Sequence, residues 1–218
     1  MADIFQEVDE DVRRERLQKL WEKYSLYIIA GAVLIVAAVG GWKAYQSYAE
    51  KQAAAAGAKF QTAIELSEQG KHAEAQAAFD KLAGEASSGY RTLARLRSAA
   101  ELAQTKPDEA VKAYDALAAD SSLGQTLQDL AGVRAGMLLV DSASFADLER
   151  WLAPLAEPGR AFRSTARELL ALSAWRGKDL AAARKYVDMM IADGDTPPAM
   201  RQRAQILSAL IAAQSSKS

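Results

Sequence analysis

From Tyr24 to Trp42 no side chain carries a charge, and the interior of the run, LYIIAGAVLIVAAVGG, is almost wholly aliphatic, Gly or Ala. As a helix rising ~1.5 Å per residue it covers about 28 Å, close to the ~30 Å hydrocarbon thickness of a bilayer. Trp21, Tyr24 and Tyr27 stand at one edge and Trp42, Tyr45 and Tyr48 at the other, with Lys23 and Lys43 just outside. Rings with one wet end favour the two headgroup levels, and the lysines can snorkel outward from the same depth. The run therefore reads as a transmembrane helix, with Trp21, Tyr24, Trp42 and Tyr45 as its interface anchors. A buried core helix rarely has aromatic rings at both ends of such a run. A cleaved leader, with Ala38 and Gly40 at the spacing of a cleavage site, does not suit the long, acid-rich tail.

That tail holds Arg13, Arg14, Arg16, Lys19 and Lys23, more basic residues than the stretch after Trp42, while Asp9, Glu10 and Asp11 weigh little. The expected topology is N-terminus in. Residues 1–23 form a cytoplasmic tail, 24–42 the span, and 43–218 a domain across the membrane, in the periplasm of a Gram-negative inner membrane. Gly31 and Gly40 do not make a GxxxG pattern, so the span carries no specific dimer signal.

Half of the chain is apolar and Ala dominates the count, with few β-branched residues outside the span. Ala, Leu, Glu, Lys, Gln and Arg are strong helix formers, so the fold class is all-α. The formal charge of −1 gives no basic face for a phosphate backbone, and nucleic acid is not an expected partner. With no Cys, disulfides, thiolate metal sites and cysteine nucleophiles are excluded.

Beyond the span a pattern recurs. Gly70, Ala75, Phe79 and Leu82 are matched at the same offsets by Gly177, Ala182, Tyr186 and Met189; Ala110, Tyr114 and Leu117 repeat it with Thr105 in the glycine slot, and Leu148, Leu152 and Leu155 repeat it more weakly beside Trp151. Counting back, Ala63, Ser98 and Gly136 fall where a preceding helix needs a small residue, followed by Leu66, Leu102 and Leu139. The last unit departs, with Leu170 in the small slot and Trp175 near the turn. Ser87, Ser88 and Gly89, Ser121 and Ser122, and Pro154 and Pro158 punctuate the units, and Pro197 and Pro198 open a last helix from Pro198 to about Gln214, preceded by Thr196 as its cap. Between Lys43 and Gln69 the single breaker is Gly57, so the span should continue into the first repeat helix. The spacing resembles the tetratricopeptide repeat, an antiparallel helix pair every ~34 residues in which a small residue lets the helices close and an aromatic fills the groove. The expected architecture is one transmembrane helix, four helix pairs and a capping helix.

Chemistry has few places to be built. His72 is the lone histidine, expected exposed in a turn; there is no Gly-rich phosphate loop, and Asp108/Glu109 and Asp193/Asp195 read as helix-end charges. The expected chain is not an enzyme and needs no cofactor or metal. Repeat arrays bind through a concave face formed by the first helix of each unit. By the register above, that face takes Phe60, Ile64, Arg95, Val133, Met137, Arg167 and Ala171, where arginines beside apolar side chains suit an extended segment or a partner helix. Arg91, Arg95 and Arg97 form a local cluster.

The tail MADIFQEVDEDVRRERLQKLWEKY, one span and degenerate repeats together resemble the YfgM-type ancillary subunits of the bacterial Sec translocon. The resemblance implies an inner-membrane protein that associates with the Sec channel and a membrane-bound periplasmic prolyl isomerase chaperone and assists exported clients. A scaffold for cell division, cytochrome maturation or outer-membrane assembly, or regulation through the tail, is the competing expectation. No functional residue carries over, because that family has no fixed catalytic motif.

Overall fold

The computed structural model describes the backbone of residues 3–215, and side-chain surroundings from Trp21 onward apart from Ile28 and Ser88. The tail charges from Asp9 to Lys19 lie outside those described side chains. The described residues form helices and turns, and the chain divides into two compact units, Met1–Ala54 and Ala55–Ser218.

α1 (Asp3–Glu68) supplies helix to each unit. In the first, Leu26, Ile29, Val33, Leu34, Ile35, Val36 and Val39 are all exposed, and none of the most apolar window is buried. A core helix of a soluble protein hides such side chains; this one is long and apolar enough to cross a bilayer and hides none of them. Residues 43–54 are likewise exposed, and the second compact unit begins at Ala55.

In the second unit, the end of α1 packs on α2 (His72–Glu85) through one core cluster, while α3 (Ser88–Thr105) pairs with α4 (Pro107–Ala119), α5 (Gln125–Leu139) with α6 (Phe145–Leu152), and α7 (Arg163–Arg176) with α8 (Leu180–Ala192); α9 (Pro198–Ser215) closes the stack on α8. The fold is an all-α helical repeat. Three of the second helices, α4, α6 and α8, start on a recognisable local device. Pro107 sits in the first turn of α4 with Asp108 and Glu109 behind it, and Ser144 and Asp179 accept the amides of Asp147 and Ala182 to cap α6 and α8. The buried stripe begins four residues after each cap: Ala75, Phe79 and Leu82; Ala110, Tyr114 and Leu117; Leu148 and Leu152, continued by Leu155 in a 3-10 turn around Pro154. Burying each large side chain is worth about 1.5–3 kcal/mol, and the Phe79 ring adds an edge contact to Phe60 at 5.3 Å.

The fourth unit corrects the sequence register by one residue. Its buried stripe is Ala183, Val187 and Met190 beside Tyr186, while Ala182 and Met189 are partly covered. The turn explains the shift. At the end of α1 the Gly70 amide donates to Ser67 O and the Lys71 amide to Leu66 O; at the end of α7 the Lys178 amide donates to Trp175 O and the Asp179 amide to Ala174 O. These are the same three-back and five-back bonds of a helix end closed by a left-handed residue, so Lys178, not Gly177, is the counterpart of Gly70. The small residue where the last pair crosses is then Ala171, fully buried, and Leu170 fills core beside it. In the third unit a Cβ at Gly136 would lie 2.9 Å from both Leu152 methyls, so glycine is what lets α5 and α6 close. Thr196 does not act as the last helix's cap: Pro198 opens α9 two positions later, and the Thr196 hydroxyl meets Ser164 of α7 at 3.3 Å.

Candidate protein-interaction surface

The seven residues assigned to a concave face do not share one surface. Val133 is 2% exposed and Ala171 fully buried, both inside the core of the last two pairs. Phe60 stacks edgewise on Phe79 and lies 5.9 Å from Tyr90, and Ile64 is half-buried beside it. Arg167 is 3% exposed; its Nε donates to the Ala156 carbonyl at 2.8 Å and its Nη1 to Asp193 Oδ2 at 2.6 Å. The cause is partly the one-residue register shift, which moves the pattern's positions on α7 from Arg167 and Ala171 to Glu168, half-buried on Arg203, and the exposed Leu172. It is partly that α7 packs against α5, α6, α8 and α9 and has little free face. Arg95 is half-buried and pairs with Asp120 Oδ2 at 2.6 Å; Met137, 43% exposed, is the one large apolar side chain of the set that meets solvent.

The buried charges near α7 form a clamp. Arg163 donates to both oxygens of Asp193, at 2.6 and 3.1 Å, and to Asp195 at 2.7 Å, while Arg167 takes Asp193 from below. Arg163 holds the Asp193 carboxyl far below the usual carboxylate range, against the opposing pull of its desolvation. Asp120 is lowered to about 2, first by the Ser122 hydroxyl and then by Arg95. His72, expected exposed, is half-buried instead: its Nδ1 lies 2.8 Å from Glu101 Oε2, and Ser67 donates to Glu101 Oε1 at 2.6 Å, so one buried carboxylate ties α1, α2 and α3 together. These groups are spent on the fold.

What remains open to a partner lies elsewhere. Leu93 on α3, Met137 on α5 and Leu172 on α7 are exposed large apolar side chains, and Arg97 and Arg134 are exposed near the first two. A second feature is an open cleft of about 560 Å³ between α4, α5 and the turn after α6, where Trp151 and Gln128 flank Asp129 and Arg160, paired at 3.3 Å. Arg97 stood in the sequence cluster, but Arg134 and Trp151 carry no signal short of the fold, since no motif marks which exposed cation faces another helix.

In the first unit Trp21, Tyr24, Trp42 and Tyr45, the residues expected at the membrane interfaces, are all exposed; the Lys23 ammonium lies 5.5 Å from the Tyr24 ring centre, and the Trp42 and Tyr45 rings lie 6.4 Å apart.

A family model described as tetratricopeptide repeat-like domain matches residues 18–169, a stretch that takes in both the apolar run and the first three helix pairs. No curated protein and no solved structure matches the chain.

Proposed function

Because the chain belongs to the tetratricopeptide repeat-like domain family, we propose that it is a membrane-anchored protein-interaction module with no catalytic chemistry of its own. The observation that carries this reading is one chain joining an apolar helix with no buried face to a repeat unit of buried small and aromatic residues. Residues 1–23 are the cytoplasmic tail, 24–42 the span and 43–218 the periplasmic domain, by the bias of basic residues. The module sits in a bacterial inner membrane as an ancillary subunit of the Sec translocon, alongside a membrane-bound periplasmic prolyl isomerase chaperone, and offers exported clients a surface as they emerge. The likeness of tail, span and repeats to YfgM-type subunits supports this finer assignment.

Reporter fusions at Ser218 and before Trp21, combined with crosslinking and mass spectrometry from intact membranes, test both parts. A periplasmic C-terminus with Sec channel and chaperone subunits among the adducts is the expected result. Exclusive recovery of division, cytochrome-maturation or outer-membrane assembly components replaces the translocon role with that of an envelope scaffold, and a cytoplasmic C-terminus overturns the topology.

A further inference from the structure

The cleft between α4, α5 and the turn after α6 is lined by a buried acid that the fold leaves short of donors. Asp129 of α5 is 3% exposed and lines it. Its one ion pair is with Arg160, whose Nη1 lies 3.3 Å from Oδ1, and its carboxylate accepts no hydrogen bond among the described residues. Arg160 is shared, its Nε donating to the Pro154 carbonyl at 3.1 Å. A carboxylate offers about four acceptor positions, and buried polar groups are normally satisfied. Asp193 shows the contrast within the same unit, taking two bonds from Arg163, one from Arg167 and one from the Asp195 amide.

The rest of the lining suits a cation. Asp115 of α4 is exposed and makes no hydrogen bond or ion pair among the described residues, so the cleft carries two carboxylates against one guanidinium. An anion drawn to Arg160 meets both acids, whereas a cation is attracted by them. Trp151 of α6 lines the same space, 37% exposed, with its indole N–H bonded to none of the described residues. The face of an indole attracts an ammonium or a guanidinium, and a guanidinium also stacks on it.

The walls are fixed by the fold. Gln128 Nε2 donates to the Ala118 carbonyl at 3.0 Å, tying α5 to the end of α4, and Gly132 lies so close to Leu155 that a Cβ there would meet its methyl at 2.8 Å. At about 560 Å³ the cleft has room for a long side chain and part of its backbone, and the exposed Gln125 amide beside it can pair with a peptide group. A zwitterionic lipid headgroup brings a phosphate along with its ammonium and so sets a negative group against Asp115 and Asp129. A polypeptide fits the lining better.

We propose that this cleft receives a lysine or arginine side chain from an extended basic segment of a partner polypeptide, with the cation held by Asp115, Asp129 and the Trp151 ring. This deepens, and rests on, the reading of the repeat unit as a protein-interaction module.

The test uses the full chain in detergent micelles and two short fluorescein-labelled peptides, one alternating alanine with arginine and one alternating alanine with glutamine, read by fluorescence anisotropy at physiological salt. The wild type should bind the arginine peptide at least about tenfold more tightly than its glutamine counterpart. D115N/W151L should lose that preference, and D115N alone should keep part of it. D108N, which removes an acid from α4 outside the cleft, should keep all of it. Asp115 and Trp151 are exposed, so D115N/W151L should melt within about 2 °C of the wild type. Equal affinity of the wild type for both peptides, no binding of either, a preference that survives in D115N/W151L, or one lost equally in D108N overturns the proposal. So does calorimetric binding of glycerophosphoethanolamine that D115N/W151L abolishes, without any peptide preference, which assigns the cleft to a lipid headgroup. If D115N/W151L still forms the same crosslinks to partner subunits in intact membranes, the interaction module stands and this docking point falls.

Discussion

Gly70 and Lys178 hold the same left-handed backbone conformation, φ 74° and 62°, each closing the first helix of its pair in front of a buried alanine five residues on. A residue with a Cβ pays about 1–2 kcal/mol for that conformation, whereas glycine does not. Lys178→Gly should therefore stabilise the chain by about 0.5–1 kcal/mol, and Gly70→Ala should destabilise it by about 1 kcal/mol. Gly177→Ala should change little, because Gly177 has φ −73° and a Cβ there would meet its nearest carbonyls at 3.4 and 3.5 Å. Urea midpoints of the three variants decide it; a large loss in Gly177→Ala with none in Gly70→Ala would restore the register written in the sequence.

The α5–α6 crossing supplies a steric test. Leu152 is fully buried, so a methyl at Gly136 finds its two methyls at 2.9 Å with no room to withdraw. Gly136→Ala should cost about 1–3 kcal/mol, as overpacking does. Gly84, on the exposed side of α2, has nothing near its missing Cβ, and Gly84→Ala should stabilise by about 0.5–1 kcal/mol through helix propensity. Equal thermal shifts for the two would show that α5 and α6 do not approach as described.

Acid should open the last helix pair. Asp193, lowered from its usual 3.8 by Arg163 and Arg167, contributes stability that is full above pH ~4 and is lost as pH falls through its lower folded value. Asp193→Asn should lower stability at neutral pH by about 2–3 kcal/mol, since the buried Arg167 loses its counter-charge, and should flatten the decline below pH ~4. Unfolding followed by the fluorescence of Trp175 against pH measures both; an unchanged acid profile in the variant would remove Asp193 from the account.

The span should fail on one charge at its middle. Ile35 is exposed among exposed neighbours, and Ile35→Arg adds about 2.5–3.5 kcal/mol to the cost of insertion. Carbonate extraction should move a substantial share of the variant to the soluble fraction while Ile35→Leu stays with the membrane. Equal retention of the two would mean that this helix is not what holds the chain there.

Much of the fold was legible before any coordinates. The alanine, aromatic and leucine stripe of each second helix is a local periodicity, and Ala75, Phe79, Leu82, Ala110, Tyr114 and Leu117 are buried as their spacing implies. The fourth unit is out of register by one because Gly177 sits at the glycine offset of the pattern, and nothing in one sequence says that the left-handed place belongs to Lys178. The slip carried Arg167 and Ala171 onto an assumed surface. Val133 was lost for another reason: it packs with side chains from α6, α7 and the turn after α6, a neighbourhood made by tertiary contacts alone. Arg95 is held by Asp120, on a turn beyond the next helix, a partner that its sequence neighbours do not identify. Which cations a fold uses and which it leaves for a partner depends on such distant pairings.

The most direct test of a membrane-anchored interaction module is to place a photo-crosslinking residue in turn at Leu93, Met137 and Leu172 in the full chain and irradiate intact membranes. Discrete polypeptide adducts containing Sec channel, chaperone or exported proteins at Leu93 and Met137 are the predicted result. Membrane-retained, folded protein that yields no polypeptide adduct at any of the three positions would contradict it.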